Sequence, residues 1–359
     1  MNDEIVMPEK ISYHIPQIAL WGPQSSGKSW LLFAFQRRVR MIDENLKRGL
    51  INQDFRISLT AKDIDIQNDD LLQPPAATED IIAKRILFYR QMTPSKSSMQ
   101  TSLQHKINTH SHEIMVMDNQ GQMLVPGTVQ KQKNDNLEEQ GNPQNLSDEA
   151  IRRIEAARDF AVRSPNIIVV LDSKEEKDNS KYKISDEINK FLNDNVLRSG
   201  RKYNIAFCLT KVDSLGELDI QGANDETVQS FLIRQLGLKG QEKIIGFAQE
   251  LQQDGHEARL FATSACGYMY NPDTRKRVSN LDGNNTIADI ENWRPEGIEK
   301  PFFWLLEKIE KNRISEIEQS GNRYERVLWK SPMKADRVDH YLPYDSILRY
   351  AKMGERKSA

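Results

Sequence analysis

Gly22-Pro23-Gln24-Ser25-Ser26-Gly27-Lys28-Ser29 decides the reading of this chain. It fits the pattern G-x-x-x-x-G-K-[ST], whose glycines let the backbone curl until several N–H groups point inward at a phosphate. The flanks agree. An apolar run, Ile18-Ala19-Leu20-Trp21, precedes the loop, and an amphipathic stretch, Trp30-Leu31-Leu32-Phe33-Ala34-Phe35, follows it. Strand, loop and helix together set the positive end of a helix beneath a bound phosphate. In such a unit Lys28 reaches the β and γ phosphates and Ser29 ligates Mg²⁺. Gly22, Gln24, Ser25, Ser26, Gly27 and Trp30 line or flank the cradle.

Around that loop the chain alternates strand and helix. Strands are predicted at Gln17–Gly22, Met99–Ile107, Glu113–Asp118, Asn166–Asp172, Asn204–Thr210 and Arg259–Thr263. Helices are predicted at Ser29–Arg48, Ser147–Arg163, Ser185–Leu197, Asp225–Leu236, Gln241–Gln252 and Lys300–Ser320. This alternation predicts an α/β fold in three layers, a mostly parallel central sheet with helices on both faces. Only a short polar link, Asn108-Thr109-His110-Ser111, separates the second and third strands, so one strand is expected to run antiparallel to the rest. Three polar stretches, about 51–98, 123–146 and 268–298, read as loop insertions.

Bulk properties exclude several classes. Of 359 residues 28% are charged and the formal net charge is −2, so no global charge points to nucleic acid or membrane. No apolar run is long enough to span a bilayer, and no signal peptide is evident. Met1-Asn2-Asp3-Glu4 offers no myristoylation glycine, and Arg356-Lys357-Ser358-Ala359 no prenylation cysteine. Two cysteines, Cys208 and Cys266, make neither a disulfide framework nor a zinc site. A cytoplasmic protein without a membrane anchor is the expectation.

Three further motifs narrow the chemistry. The strand Ile114-Met115-Val116-Met117 ends at Asp118, and Asn119-Gln120-Gly121-Gln122 follows. An aspartate there can hold Mg²⁺ through its water shell, and Gly121 can offer a bare N–H to a γ-phosphate. Next, Phe207-Cys208-Leu209 leads into Thr210-Lys211-Val212-Asp213. Guanine presents a ring N–H and an exocyclic NH₂ side by side, and one carboxylate accepts both. Adenine presents an acceptor instead, so Asp213 would select against it. The stem of Lys211 can lie along the base. Finally, Phe261-Ala262-Thr263-Ser264-Ala265-Cys266-Gly267 is a strand ending in small residues, where a backbone N–H can approach the base oxygen.

In this order, G-x-x-x-x-G-K-S, D-x-x-G-Q, T-K-x-D and T-S-A resemble the Ras-like small GTPases of the translation-factor-related class. The resemblance covers residues 15–320 and implies a P-loop NTPase fold with GTP/GDP switching. It divides the chain into an N-terminal tail (1–10), a GTPase domain (11–321) carrying the three insertions, and a basic, aromatic tail (322–359). Residue by residue, it implies that Gly22, Gln24, Ser25, Ser26, Gly27, Lys28, Ser29, Trp30, Gly121, Thr210, Lys211, Asp213, Ser264, Ala265 and Cys266 bind nucleotide. Lys28 and Gln122 serve catalysis, Gln122 by positioning the attacking water. Ser29 and Asp118 hold Mg²⁺, with a first-switch threonine assigned to Thr93 over Thr60 and Thr101. Thr210 stands where the family more often has asparagine. Arg85 and Arg90 fall in the first-switch region.

The expected activity is Mg²⁺-dependent hydrolysis of GTP to GDP, switching a protein partner that contacts the switch regions or insertions. A GTP-binding scaffold with little hydrolysis is the alternative. A P-loop ATPase or kinase is a third reading, which T-K-x-D opposes. Nucleic-acid binding through the tail is a fourth. Polar insertions on a Ras-like body also look like the stand-alone GTPases encoded beside larger partners in bacterial operons.

Overall fold

The computed structural model describes residues 17–22, 26–51, 55–63, 82–94, 109–118, 163–173, 201–215, 246, 248–282, 286–320 and 344–357. Strand β1 (Gln17–Trp21) leads through the loop into helix α1 (Lys28–Gly49). Strands β2 (Phe55–Asp63), β3 (Ile82–Pro94), β4 (Thr109–Asp118), β5 (Asn166–Asp172), β6 (Asn204–Thr210) and β7 (Glu257–Ala262) follow. They form one seven-stranded sheet in the order β2-β3-β4-β1-β5-β6-β7. From β4 across to β7 every pairing is parallel, while β3 is antiparallel to both its neighbours. The sheet is thus mostly parallel with a single reversed strand, as expected.

The reversed strand, however, is not the expected one. It is β3, from the stretch 51–98 that reads as a loop insertion; the predicted strand Met99–Ile107 lies outside the described residues. Thr109, His110 and Ser111, read as a link, pair with Gln91, Arg90 and Tyr89 and belong to β4. The physical reason lies in the edge: β2 and β3 alternate instead of running continuously apolar. Ile57, Leu59, Ile86 and Phe88 are buried, whereas Arg56, Lys62 and Leu87 are exposed.

The sheet centre shows the opposite pattern. Every residue of β5 is buried, and so are the six residues Ile205–Thr210 of β6. Both faces of these strands are therefore covered, which requires a layer on each side. On one side Ile18, Leu20, Ile168, Val170, Ala206 and Cys208 join a single apolar cluster with α1 and with α2 (Glu299–Ser320). Phe35 of α1 stacks on Phe302 of α2 with ring centroids 4.0 Å apart. The apolar stripe predicted along Lys300–Ser320 is core. Of the other predicted helices, Ser185–Leu197 and Asp225–Leu236 lie outside the described residues. Ser147–Arg163 is described only at Arg163, which is helical, and the described part of Gln241–Gln252 is helical too.

Two segments read as loop or tail are built into the body. Residues 268–298 contain a hairpin, β8 (Tyr268–Asn271) and β9 (Lys276–Ser279), and bury Trp293 completely. Trp293 stacks on Phe33 of α1 at 5.2 Å, and its backbone carbonyl accepts from Arg37 Nε at 3.1 Å. In the C-terminal tail, helix α3 (Tyr344–Arg356) lies along α1 and buries Tyr344, Ile347, Ala351 and Gly354. Tyr344 donates to Glu310 at 2.9 Å, and Glu310 pairs with the buried Arg90 at 2.8 Å. That pairing takes Arg90 out of any role at a phosphate.

Candidate functional site

Parallel strands all point their carboxyl ends to one edge. There Asp118, Gly22, Asp172, Lys211 and Thr263 stand in the spatial order of β4, β1, β5, β6 and β7. The chain leaves β1 toward β2–β4 and later fills the other side with β5–β7. Beta-1 is thus the point where strand order reverses, the usual place of a ligand crevice in such sheets.

The phosphate loop is shaped for close approach at both described ends. A Cβ on Gly22 would sit 2.5 Å from the Val170 carbonyl oxygen, so only glycine fits. Gly27 caps α1 at φ 91°, a left-handed conformation that glycine adopts without strain. No side chain caps α1, and its first turn holds no acidic residue, so its N-terminal N–H groups keep their attraction for an anion. Lys28 is buried and donates from Nζ to the Gly22 carbonyl at 2.9 Å, holding the ammonium across the loop. The Oγ of Ser26 is buried and finds no hydrogen-bond partner among the described residues. Ser29 and Trp30 follow in the first turn of α1, with Trp30 edge-on to Phe33 at 6.4 Å. Pro23, Gln24 and Ser25 lie outside the described residues.

The T-K-x-D segment is tied to this loop. Thr210 Oγ1 lies 2.6 Å from the Ser26 carbonyl and 3.0 Å from that of Leu171. A hydroxyl has one proton and serves one carbonyl at a time, whereas an asparagine amide has two. Thr210 therefore ties the loop to the end of β5 through one donor shared between two carbonyls. Lys211 adopts φ 57°, unusual for a residue with a Cβ, and its Nζ bonds Asp172 at 2.5 Å. A strained, ion-paired lysine at a strand end suits a positioned functional group better than a surface turn. Asp172, not singled out in the sequence, stands at the end of an apolar strand as Asp118 does and is the ion-pair partner of Lys211.

Asp213 is 5% exposed. Its Oδ1 accepts from Ser264 Oγ at 2.6 Å and its Oδ2 from Ser279 Oγ at 2.5 Å. Ser264 in turn accepts from the Gly267 N–H at 2.8 Å, which directs its proton to the aspartate. The Ala265 carbonyl accepts from Trp293 Nε1 at 2.8 Å, so the last small-residue turn is anchored to α1 through that indole. Burial, then the nearby Asp213 carboxylate, push the Cys266 thiol up to about 12. Burial likewise takes Cys208 to about 12. Both remain neutral thiols at physiological pH, and no thiolate competes with Asp213.

The structure thus brings together Gly22, Ser26, Gly27, Lys28, Ser29, Thr210, Lys211, Asp213, Ser264, Ala265 and Cys266. Asp118 closes β4 beside β1, opposite Ile82. Gly121 and Gln122 lie outside the described residues. Thr93 does not join the site. Since β3 runs backward, Ile82 is at the phosphate edge and Thr93 is about 35 Å away at the far edge of the sheet. Thr60 lies within β2 opposite Tyr89, and Thr101 is outside the described residues. For Mg²⁺ the donor set fits: a hydroxyl and a carboxylate, both hard oxygens, at adjoining strand and helix ends. Among the described residues no group of three His, Cys, Asp or Glu could hold a metal, so any cation here would need phosphate and water ligands as well.

No family model matches the chain, and no curated protein does. Solved structures are similar to it at low identity. One is the signal recognition particle receptor SRb-GTP/SRX complex from Chaetomium thermophilum, at 12% identity and a TM-score of 0.32, covering 70% of this chain and 92% of that one. Another is nucleolar GTP-binding protein 1 from Plasmodium falciparum, at 10% and 0.33, covering 86% and 94%. A bacterial selenocysteine-specific elongation factor, EF-Sec, reaches 16% and 0.28, covering 82% of this chain but 29% of that one.

Proposed function

We propose that the chain binds GTP and GDP with Mg²⁺ and hydrolyses GTP as a nucleotide-controlled switch for a protein partner. One observation supports this above the others. A buried carboxylate, Asp213, is held by two serines at the strand edge where the phosphate loop opens. ATP would set its ring acceptor against that carboxylate, while guanine sets two donors against it.

In this reading Lys28 and the N–H groups around Gly27 neutralise the phosphoryl oxygens. Ser29 and Asp118 would hold Mg²⁺, which supplies charge neutralisation to the β and γ phosphates when bound. Gln122 would orient the attacking water. Without a supplied arginine, turnover should be slow, on the order of 10⁻³ per second or less. Negligible turnover with intact GTP affinity would favour the scaffold role instead.

The backward course of β3 favours a first-switch threonine ahead of β3, and we choose Thr78 on sequence position. The chain enters β3 at the phosphate edge at Ile82, and Thr78 precedes it by four residues. Thr78→Ala should weaken GTP binding in Mg²⁺ about tenfold and leave GDP unchanged, as expected for one lost bond to a charged group. Thr93→Ala should change neither. A loss of GTP affinity in Thr93→Ala with none in Thr78→Ala would return the assignment to Thr93, and no loss in Thr78→Ala would overturn the choice of Thr78.

The deciding experiment for the whole reading is calorimetric titration of the full chain with GTP, GDP and ATP, with and without Mg²⁺. GTP should bind at least about 100-fold more tightly than ATP. Equal affinities in a folded sample would overturn it.

A further inference from the structure

We infer that Ser279, on the β8–β9 hairpin, is a specificity-determining residue of the base pocket, positioning Asp213 to read the exocyclic amine of guanine. The inference rests on the guanine-nucleotide reading above and deepens it. A carboxylate turns readily about its last side-chain torsion, whose energy profile is broad and two-fold. Ser264 alone fixes one oxygen and leaves the plane free to swing. Ser279 donates to the other oxygen, and two donors on two oxygens fix the plane.

The count of acceptor sites points to the ligand. An ionised carboxylate has about four lone-pair sites, two on each oxygen. The serines take one site on each oxygen, leaving one on each for a pair of adjacent donors. Guanine's ring N–H and 2-amino group are such a pair. Hypoxanthine, which has the ring N–H but no amine, can fill only one.

Ser279 is also held firmly enough to serve. It pairs with Tyr268 in the hairpin register, and the next residue, Asn280, donates its N–H to Gly267 at 3.1 Å. The side chain of Asn280 then bonds the Asp289 backbone in both directions, at 3.0 and 2.8 Å. Arg277 lies over the Tyr268 ring at 5.1 Å and pairs with Glu296, whose backbone bonds Ser264 in both directions at 2.9 Å. Both serines thus hang from one connected frame.

The test compares Ser279→Thr with Ser279→Val in the full chain. The two replacements share a shape that suits a strand and differ by the hydroxyl. Affinities for GTP, ITP and ATP are measured in Mg²⁺ by titration. The threonine variant should keep the GTP-over-ITP ratio of the parent, and the valine variant should lower it about tenfold, the value of one hydrogen bond to a charged group. A ratio unchanged by valine overturns the inference, and so does one lowered equally by threonine. If the parent itself fails to prefer GTP over ATP, the underlying guanine reading falls, and that outcome is distinct from either.

Discussion

Asp213→Asn should reverse the base preference of the site, moving the ratio of GTP to XTP affinity by on the order of 10⁴-fold. The carboxylate is acceptor only, and both guanine groups that would face it are donors. An asparagine amide puts an NH₂ where one oxygen stood, so it meets guanine's amine donor to donor. Xanthine carries a carbonyl at that position and accepts from the new NH₂, while its ring N–H still finds the amide oxygen. The fold should be unharmed, because the replacement has the same size and the serine hydroxyls can turn. The NH₂ turns to Ser279, which changes from donor to acceptor, while Ser264, already accepting from the Gly267 N–H, keeps donating to the amide oxygen. The measurement is a titration of the folded variant with GTP and XTP. Undiminished GTP affinity would sink the assignment of Asp213 to the base and, with it, the guanine reading.

The parts of this fold legible in the sequence are those decided by near neighbours. β5 and β6 are each five consecutive apolar residues between polar ends, and the structure begins and ends them where the sequence predicts. Loop and helix α1 follow from the glycines at 22 and 27. What escaped depends on residues far away in the chain. Arg90 looks like a solvated charge on a polar segment until Glu310 closes on it. Its strand therefore reads as loop, and the backward course that carries Thr93 to the edge of the sheet far from Ile82 cannot be read from the sequence. The hairpin has a local sign: Asn271-Pro272-Asp273-Thr274 is a turn whose Asn271 Oδ1 accepts from the Asp273 and Thr274 N–H groups. Ser279 had none, since its meaning comes from Asp213, in a different turn. In the tail, composition hid periodicity. Tyr344, Ile347, Ala351 and Gly354 recur every three or four positions, the signature of one buried helical face among basic and aromatic neighbours.

That buried face carries the second large effect. Gly354→Leu should prise α3 off α1 and cost about 3 kcal/mol, the upper range for overpacking plus part of the burial lost with α3. The two helices approach closely because each offers a glycine. A Cβ on Gly354 would fall 1.8 Å from the Asn45 carbonyl oxygen and 2.8 Å from the Gly49 nitrogen. A Cβ on Gly49 would fall 2.0 Å from the Tyr350 carbonyl oxygen. All three are backbone atoms, which no rotamer change can move aside, so the helices must part. Separation exposes Ile347 and Ala351 and pulls on Tyr344, which packs on Phe303 with centroids 4.6 Å apart. The unfolding temperature should drop by about 4 °C for a chain of this length, and protease should cut ahead of α3 in the otherwise folded protein. Met353→Leu, one position earlier on the exposed side, should be neutral on both readouts. Nucleotide affinity should hold in Gly354→Leu, because Gly49 is the last residue of α1, about 30 Å along the helix from Lys28. Parental melting and cleavage in Gly354→Leu would mean that α3 does not pack on α1 through these glycines; lost nucleotide binding at full stability would mean that the tail reaches the site by some other path.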